Sequence, residues 1–358
     1  MKVLVGLSGG VDSAAVAYLL KKNGYDVIGA TMKVWADDTD FGNSLKAKGC
    51  FSAHQEEDIN SARKIAQYLD IPYYVFDCSQ EYKKIVLSNF KSEYLAGRTP
   101  NPCVICNTSI KFDALPKTAK AQGLEFDKFA TGHYAITGFD EQSGRYQLYR
   151  GLEKKRDQSY FLYRLTQEQL KDVIMPLGRY SKDEVRRFAE IAGLEVANKK
   201  DSQDFYSGDI NDILRQEPKI GNFVNSSGKI LGQHQGIWHY TIGQRKGMGL
   251  SAERPLYVID IRPETNEVVV GFEQEAGCKG LIADGLNWVS VPMITNIVDV
   301  QAKVRSAQEP FKVRVTPLDN GKYQVDFKEH QKAIAVGQSV VFYDNEKVLG
   351  GGFITKCQ

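Results

Sequence analysis

The apolar run Val3-Leu4-Val5-Gly6-Leu7 gives way to Ser8-Gly9-Gly10, and apolar positions then return at helical spacing. That change of period predicts a buried strand over 2–7, a tight turn, and a helix over 13–22 with Ala14, Ala17, Leu19 and Leu20 on its apolar face. The alternation continues, with strands expected at 26–32, 73–77 and 126–131 and helices at 56–69 and 82–95. Strands that alternate with helices build a parallel sheet covered on both faces. Ligands of such sheets bind at the carboxyl ends of the strands. Ser8, Met32 and Gly132 lie at three such ends, so three separate segments should meet at one crevice.

Helical patterns over 167–173 and 182–192 follow, and after about residue 204 the character changes. Glycine becomes frequent and short alternating runs appear at 256–261, 267–271, 311–317, 323–327 and 339–343. This is all-β patterning. The expected organisation is an α/β domain over 1–207, a small β-rich domain over 208–274 and a β-barrel over 275–358. Residues 36–49 are polar and read as a mobile loop. The chain has neither internal repeats nor low-complexity tracts.

Composition changes this picture little. The 358 residues are 42% hydrophobic and 25% charged, as expected for a globular enzyme of two or three domains. No apolar run approaches the roughly 20 residues of a membrane helix. The first strand begins at residue 2, which leaves no room for a leader peptide, so a cytoplasmic location is expected. With 46 basic and 44 acidic residues, the charge balance neither announces nor excludes a nucleic-acid partner.

The chemistry begins at Ser8-Gly9-Gly10-Val11-Asp12-Ser13. A glycine turn between strand and helix presents backbone N–H groups and a positive helix end to an anion. No Gly-Lys-Ser/Thr follows, so this is not the common P-loop. It resembles the pyrophosphate loop of ATP pyrophosphatases, which split ATP between the α and β phosphates and activate an oxygen as its adenylate; the bland alternative is an ordinary tight turn. The second signal is Gly97-Arg98-Thr99-Pro100-Asn101-Pro102-Cys103-Val104-Ile105-Cys106-Asn107. Its prolines enforce an extended turn, and a helix should start near Pro102. A thiol at a helix N-terminus is expected to be stabilised as thiolate. Structural zinc would need a second Cys-x-x-Cys, which is lacking. Disulfide staples are not expected in a cytosolic chain, and Cys78, Cys278 and Cys357 read as structural.

Taken in order, these motifs resemble the bacterial tRNA-specific 2-thiouridylases. The likeness also runs through Thr31-Met32-Lys33, Ala130-Thr131-Gly132-His133-Tyr134, Asp157-Gln158-Ser159-Tyr160-Phe161-Leu162, His234-Gln235-Gly236, Tyr240–Gly247, Gly337-Gln338 and Leu349–Gly352. It implies an adenine-nucleotide α-hydrolase-like sheet followed by the two β-rich domains. It implies ATP contacts at Gly6, Leu7, Ser8, Gly9, Gly10, Val11, Asp12, Ser13, Met32 and Gly132, with Mg²⁺ beside the phosphates. Asp12 would position that metal, or else cap the following helix. Asn101, Pro102 and Cys103 would meet the target base, and Cys106 holds the catalytic cysteine place. The tRNA anticodon stem-loop would touch His133, Arg156, Asp157, Gln158, Arg305 and Gln338. Lys154-Lys155-Arg156 would add phosphate contact beside a stacking surface at Tyr160-Phe161.

Two positions depart from the family. Cys103 stands where the family has Asp in Asn-Pro-Asp-x-x-Cys-Asn. In Asp201-Ser202-Gln203-Asp204-Phe205-Tyr206, Tyr206 replaces the cysteine that accepts a persulfide. The implied reaction is adenylation of the 2-oxygen of the wobble uridine at position 34, then displacement of AMP by sulfur. Two sulfur routes stay open. Cys103 and Cys106, with Cys50 as third ligand, could hold a 4Fe-4S cluster. Alternatively, Cys103 and Cys106 could work as a persulfide–disulfide pair. The donor would be inorganic sulfide, or a persulfide carrier or cysteine desulfurase. Competing readings are another adenylating enzyme with the same loop, or a non-catalytic tRNA-binding protein.

Overall fold

The computed structural model describes residues 1–35, 49–52, 54–199 and 205–358. Residues 36–48 of the expected mobile loop, and Asp201-Ser202-Gln203-Asp204, lie outside the described residues.

The first sheet has five parallel strands in the order Tyr73–Asp77, Asp26–Lys33, Lys2–Gly6, Lys128–Ala130, Val173–Ile174. The central strand is buried on both sides, as a parallel sheet between helices requires. Its side chains alternate between faces: Leu4 joins one core with Ile28 and Phe129, while Val3 and Val5 join another with Ala14, Ala17, Val185 and Ala189. The first helix, Val11–Lys22, starts two residues before the position its pattern predicts, with Gly10 as its N-cap. Helix Lys182–Ile191 closes the same face and carries a complete capping box between Ser181 and Glu184.

Two helical stretches contain π segments that periodicity did not foretell. The expected helix at 82–95 is Ser79–Tyr82, a π turn at Lys83–Leu87, then Ser88–Leu95. Helix Pro102–Cys106 passes directly into the π segment Asn107–Ala114. Such wide turns gather at functional sites.

A four-stranded sheet follows, in the order Tyr257–Arg262, Glu267–Gly271, Gly221–Val224, Ile230–His234. The last part is a closed antiparallel barrel of six strands, in the order Gly277–Asn287, Tyr323–Lys332, Phe311–Pro317, Val298–Lys303, Ser339–Asp344, Lys347–Cys357, with the first and last strands paired. Hairpin Ala135–Asp140/Arg145–Arg150 leaves the α/β part and adds to the last barrel strand through Lys347 and Val348.

The structure departs from expectation at three places in this region. Cys278 and Cys357 form a disulfide, because pairing of the first and last barrel strands brings their Cα atoms to 6.1 Å. The Asp157 carboxylate, expected on tRNA, is turned inward. It is fully buried and accepts from Gly151 N at 3.1 Å, Ser159 N at 3.0 Å and Arg150 Nε at 3.3 Å, with Lys303 Nζ at 3.8 Å. Tyr160 is likewise buried and donates its hydroxyl to the Ser339 carbonyl at 2.8 Å, so it offers no stacking surface.

Removing one partner of a buried charge cluster strands the others. Asp157→Ala should therefore cost about 3–5 kcal/mol of stability, read by urea denaturation. Unchanged stability together with weakened tRNA binding would restore the contact role.

Candidate active site

The loop after the first strand is shaped by its carbonyls. Gly9 sits at φ +71°, and a Cβ there would lie 2.5 Å from the Asp58 carbonyl oxygen, so only glycine fits. Its own carbonyl accepts from Ser61 Oγ and Lys199 Nζ, both at 3.1 Å. A trans peptide holds C=O and N–H on opposite sides. Fixing the Gly9 oxygen outward therefore turns the Gly10 N–H toward the crevice. Ser13 Oγ braces the turn by accepting from Ser8 N at 3.1 Å and donating to the Gly10 carbonyl at 3.2 Å. The N-cap of the helix that follows is Gly10, which has no side chain to cap it. Helix-terminal N–H groups beside glycines suit a polyphosphate.

The other two strand ends meet this loop. Thr31 Oγ1 donates to the Leu7 carbonyl at 2.6 Å, and Met32 is held at its carbonyl by Gln55 Nε2 at 3.3 Å. Gln55 also accepts from Val34 N and Trp35 N, both at 2.9 Å, which fixes the chain as it leaves the strand. At Gly132 a Cβ would lie 3.0 Å from Asp12 Cβ and 3.1 Å from Ser13 N. The second strand thus meets the loop through Thr31 and Leu7, and the Gly132 turn meets it at Asp12 and Ser13.

Asp12 neither caps the helix nor stands free for a metal. Its carboxylate accepts from Lys182 Nζ at 2.7 and 2.9 Å and from Tyr134 Oη at 2.8 Å. The carboxylate expected to position Mg²⁺ is thus held by a lysine and a tyrosine.

Gly132-His133 leads from the nucleotide loop to the thiols. His133 Nδ1 lies 2.8 Å from Thr131 Oγ1, and its ring packs 5.5 Å from that of Phe112, in the π segment after Cys106. Burial, with the Lys111 ammonium, holds His133 well below its ordinary pKa. Asn101 is buried and caps helix Pro102–Cys106 by accepting from Val104 N at 3.3 Å.

Cys50, Cys103 and Cys106 are free thiols, with Cys50 exposed. They lie within one another's electrostatic reach, together with Lys111. The expected thiolate at the helix start is not what burial produces. Burial raises the Cys103 thiol and pushes Cys106 up to about 12, with Lys111 pulling the other way. Burial also works against the Lys111 ammonium, but the three thiols outweigh it and its pKa is raised. Among the described residues no group of three or more His, Cys, Asp or Glu side chains is placed to hold a metal ion. Cys50 is carried beside the Tyr206 segment, since Phe51 N donates to the Phe205 carbonyl at 3.1 Å and their rings stack at 6.1 Å. Tyr206 itself donates to Asp212 Oδ2 at 2.6 Å.

The barrel holds the thiol loop in place. Gln338 Nε2 donates to the Thr99 and Pro100 carbonyls at 3.3 and 2.9 Å, and its Oε1 lies 3.5 Å from Asn101 Nδ2. Thr99 N donates to the Val336 carbonyl at 2.8 Å. Gly337, at φ +92°, has no space for a side chain, since a Cβ would lie 2.8 Å from the Thr99 oxygen. Gln338, expected on tRNA, is thus bound to the loop that leads to Cys103 and Cys106. Gln158 accepts from Tyr134 N at 3.0 Å, while Arg156 is partly exposed and the exposed Arg305 donates to the Ala333 carbonyl. Lys182, Lys199, Lys111 and Gln55 were not expected from the sequence. The Ser181-x-x-Glu184 capping box marked a helix start, but nothing marked Lys182 as turned inward.

Two measurements follow from this geometry. A thiol raised to about 12 is mostly protonated at neutral pH. Alkylation of Cys106 by iodoacetamide, read by peptide mass spectrometry, should rise about tenfold per pH unit from 7 to 10 without levelling. A plateau near pH 9 would mean an unburied thiol. Gln338→Ala should lower kcat about tenfold or more while ATP affinity stays unchanged, because it loosens the thiol loop and not the phosphate loop. Equal loss of both would show general unfolding instead.

Residues 1–206 match the family model described as the tRNA methyl transferase HUP domain. Residues 210–272 match the tRNA methyl transferase PRC-barrel domain, and 278–354 the aminomethyltransferase beta-barrel domain. A tRNA-specific 2-thiouridylase MnmA of Endomicrobium trichonymphae is 48% identical over 356 residues, covering 99% of each chain. One from Clostridium botulinum (strain Eklund 17B / Type B) is 48% identical over 360 residues, covering 99% of this chain and 97% of that one. One from Caldicellulosiruptor saccharolyticus is 45% identical over 363 residues, covering 99% of each chain. Identity of this order along the whole of both chains is shared ancestry, and this chain belongs to the tRNA-specific 2-thiouridylase family.

Proposed function

We propose that this protein uses ATP to 2-thiolate the wobble uridine, position 34, of tRNA in the cytoplasm. The observation that carries this reading is the Gly132-His133 turn, which touches the phosphate loop on one side and the segment after Cys106 on the other. That contact supports a reading in which an adenylating loop and a sulfur site work on one bound base.

The uridine 2-oxygen attacks the α-phosphorus of ATP, an O–P bond forms, and the bond to the β-phosphate breaks with release of pyrophosphate. Backbone N–H groups of the Ser8–Ser13 loop hold the phosphates as charge redistributes. The target base enters beside Pro102 and Cys103, flipped from its stack. A persulfide on Cys106, received from a persulfide carrier, then attacks carbon 2 through its terminal sulfur, and AMP leaves with the original oxygen. Cys103 attacks Cys106 Sγ, the S–S bond to the uridine sulfur breaks, and 2-thiouridine departs. The sulfane sulfur gains two electrons, the two thiols lose them as a Cys103–Cys106 disulfide, and a thiol reductant resets the pair. Lys111 favours each anion formed in this buried place.

A second reading, a 4Fe-4S cluster on Cys50, Cys103 and Cys106, is supported by the electrostatic coupling of those three thiols. The placement of the described residues does not fit it, since no three of them form a metal-binding group.

The deciding assay is 2-thiouridine formation on unmodified tRNA with Mg-ATP and either a persulfide donor or inorganic sulfide. It is run with iron-free protein and with protein reconstituted anaerobically with iron and sulfide. Activity of the iron-free protein with the persulfide donor, lost in Cys103→Ser and Cys106→Ser, is the expected result. Activity only after reconstitution would select the cluster. No 2-thiouridine and no AMP under any condition would leave a tRNA-binding protein without this chemistry.

A further inference from the structure

We propose that Lys182 is a positioning residue of the nucleotide site, which cancels the charge of Asp12 so that the loop accepts a polyphosphate. The inference rests on the ATP-dependent reading above. Asp12 lies in the first turn of the helix whose N-terminus faces the crevice. Its side chain is 29% exposed, and it sits within two residues of the glycine turn. A bare carboxylate there would oppose the helix end and the loop N–H groups, since like charges at a few ångströms repel by kilocalories in a partly desolvated place.

Lys182 answers that charge from behind. Only 6% of its side chain is exposed, and its ammonium meets both oxygens of Asp12, at 2.7 and 2.9 Å. It stands at the first position of its own helix, where Glu153 Oε2 accepts from its backbone N at 2.6 Å and the Ser181–Glu184 box fixes the turn. Tyr134 holds Asp12 from a third direction, and the Lys182 ammonium lies 5.9 Å from the centre of that ring. Among the described residues a second pair stands at the loop, Lys199 and Asp58 at 3.0 Å. Asp12 and Asp58 therefore each have a lysine, which leaves the backbone N–H groups to set the sign of the site. On this arrangement Asp12 is a scaffold for the loop and not the residue that brings in the metal.

The test is a double-mutant cycle on ATP affinity, measured by calorimetry with Mg-ATP on full-length wild type, Lys182→Met, Asp12→Asn and the double variant. Lys182→Met leaves Asp12 bare and should weaken ATP at least about tenfold. Adding Asp12→Asn removes the uncompensated charge and should return affinity to within about threefold of wild type. Thermal melts of all four proteins exclude unfolding as the cause, and the double variant, which buries no charge, keeps the test alive if Lys182→Met folds poorly. A double variant that binds as weakly as Lys182→Met, or more weakly, would overturn the proposal and make Asp12 a metal-bearing residue. Unchanged affinity in Lys182→Met would overturn it as well. Wild type that binds no ATP would instead sink the ATP-dependent reading itself, and this inference with it.

Discussion

The structure depends on one close approach, that of Gly132 to the start of the first helix. With a methyl group at residue 132 the turn would press on Asp12 and Ser13 at about three ångströms. Because glycine lets the two backbones touch, the turn over 131–134 becomes a bracket. His133, bonded to Thr131, packs on Phe112 after the thiols, and Tyr134 reaches Asp12 and, through its backbone, Gln158. The glycine loop and the segment after Cys106 are registered against one corner. The proposed reaction would need that registration, since a small misplacement of reacting groups is costly in rate.

The thiols show the tension such a site must hold. Burial protects a reactive sulfur from water and stray oxidants, yet it also keeps the thiol protonated. Here the balance is set by a lysine from the same continuous helical stretch. The π segment Asn107–Ala114 widens that stretch directly after Cys106, and Lys111 sits within it. Neither Cys103 nor Cys106 gains the thiolate character that position at a helix start alone would suggest.

Much of this was legible in the chain. Change of period from two to near four located the parallel sheet, and Ser8-Gly9-Gly10 located the anion loop, because both follow from local backbone chemistry. The Pro100–Pro102 turn and the helix from Pro102 were legible for the same reason. What the motifs hid were the consequences of burial and of distant pairing. Asp157 lies in a motif suggestive of tRNA, but its carboxylate turns inward to Arg150 and Lys303. Lys182 looked like any first-turn lysine. The disulfide between Cys278 and Cys357 depends on barrel closure, which no local pattern encodes. Hairpin 135–150 escaped notice because its partner strand lies some two hundred residues onward.

Closure of the barrel also bears on the order in which the molecule becomes competent. Gly337 N donates to the Ile354 carbonyl and Ile354 N to the Gln338 carbonyl, both at 2.8 Å. The clamp on Thr99 and Pro100 is therefore itself held by the last strand, Lys347–Cys357. A chain emerging from a ribosome can fold its α/β sheet and phosphate loop long before that strand exists. Its thiol loop must wait. A nascent or truncated chain would present the glycine loop with residues 99–101 untethered, so the final strand is the latch of the thiol loop.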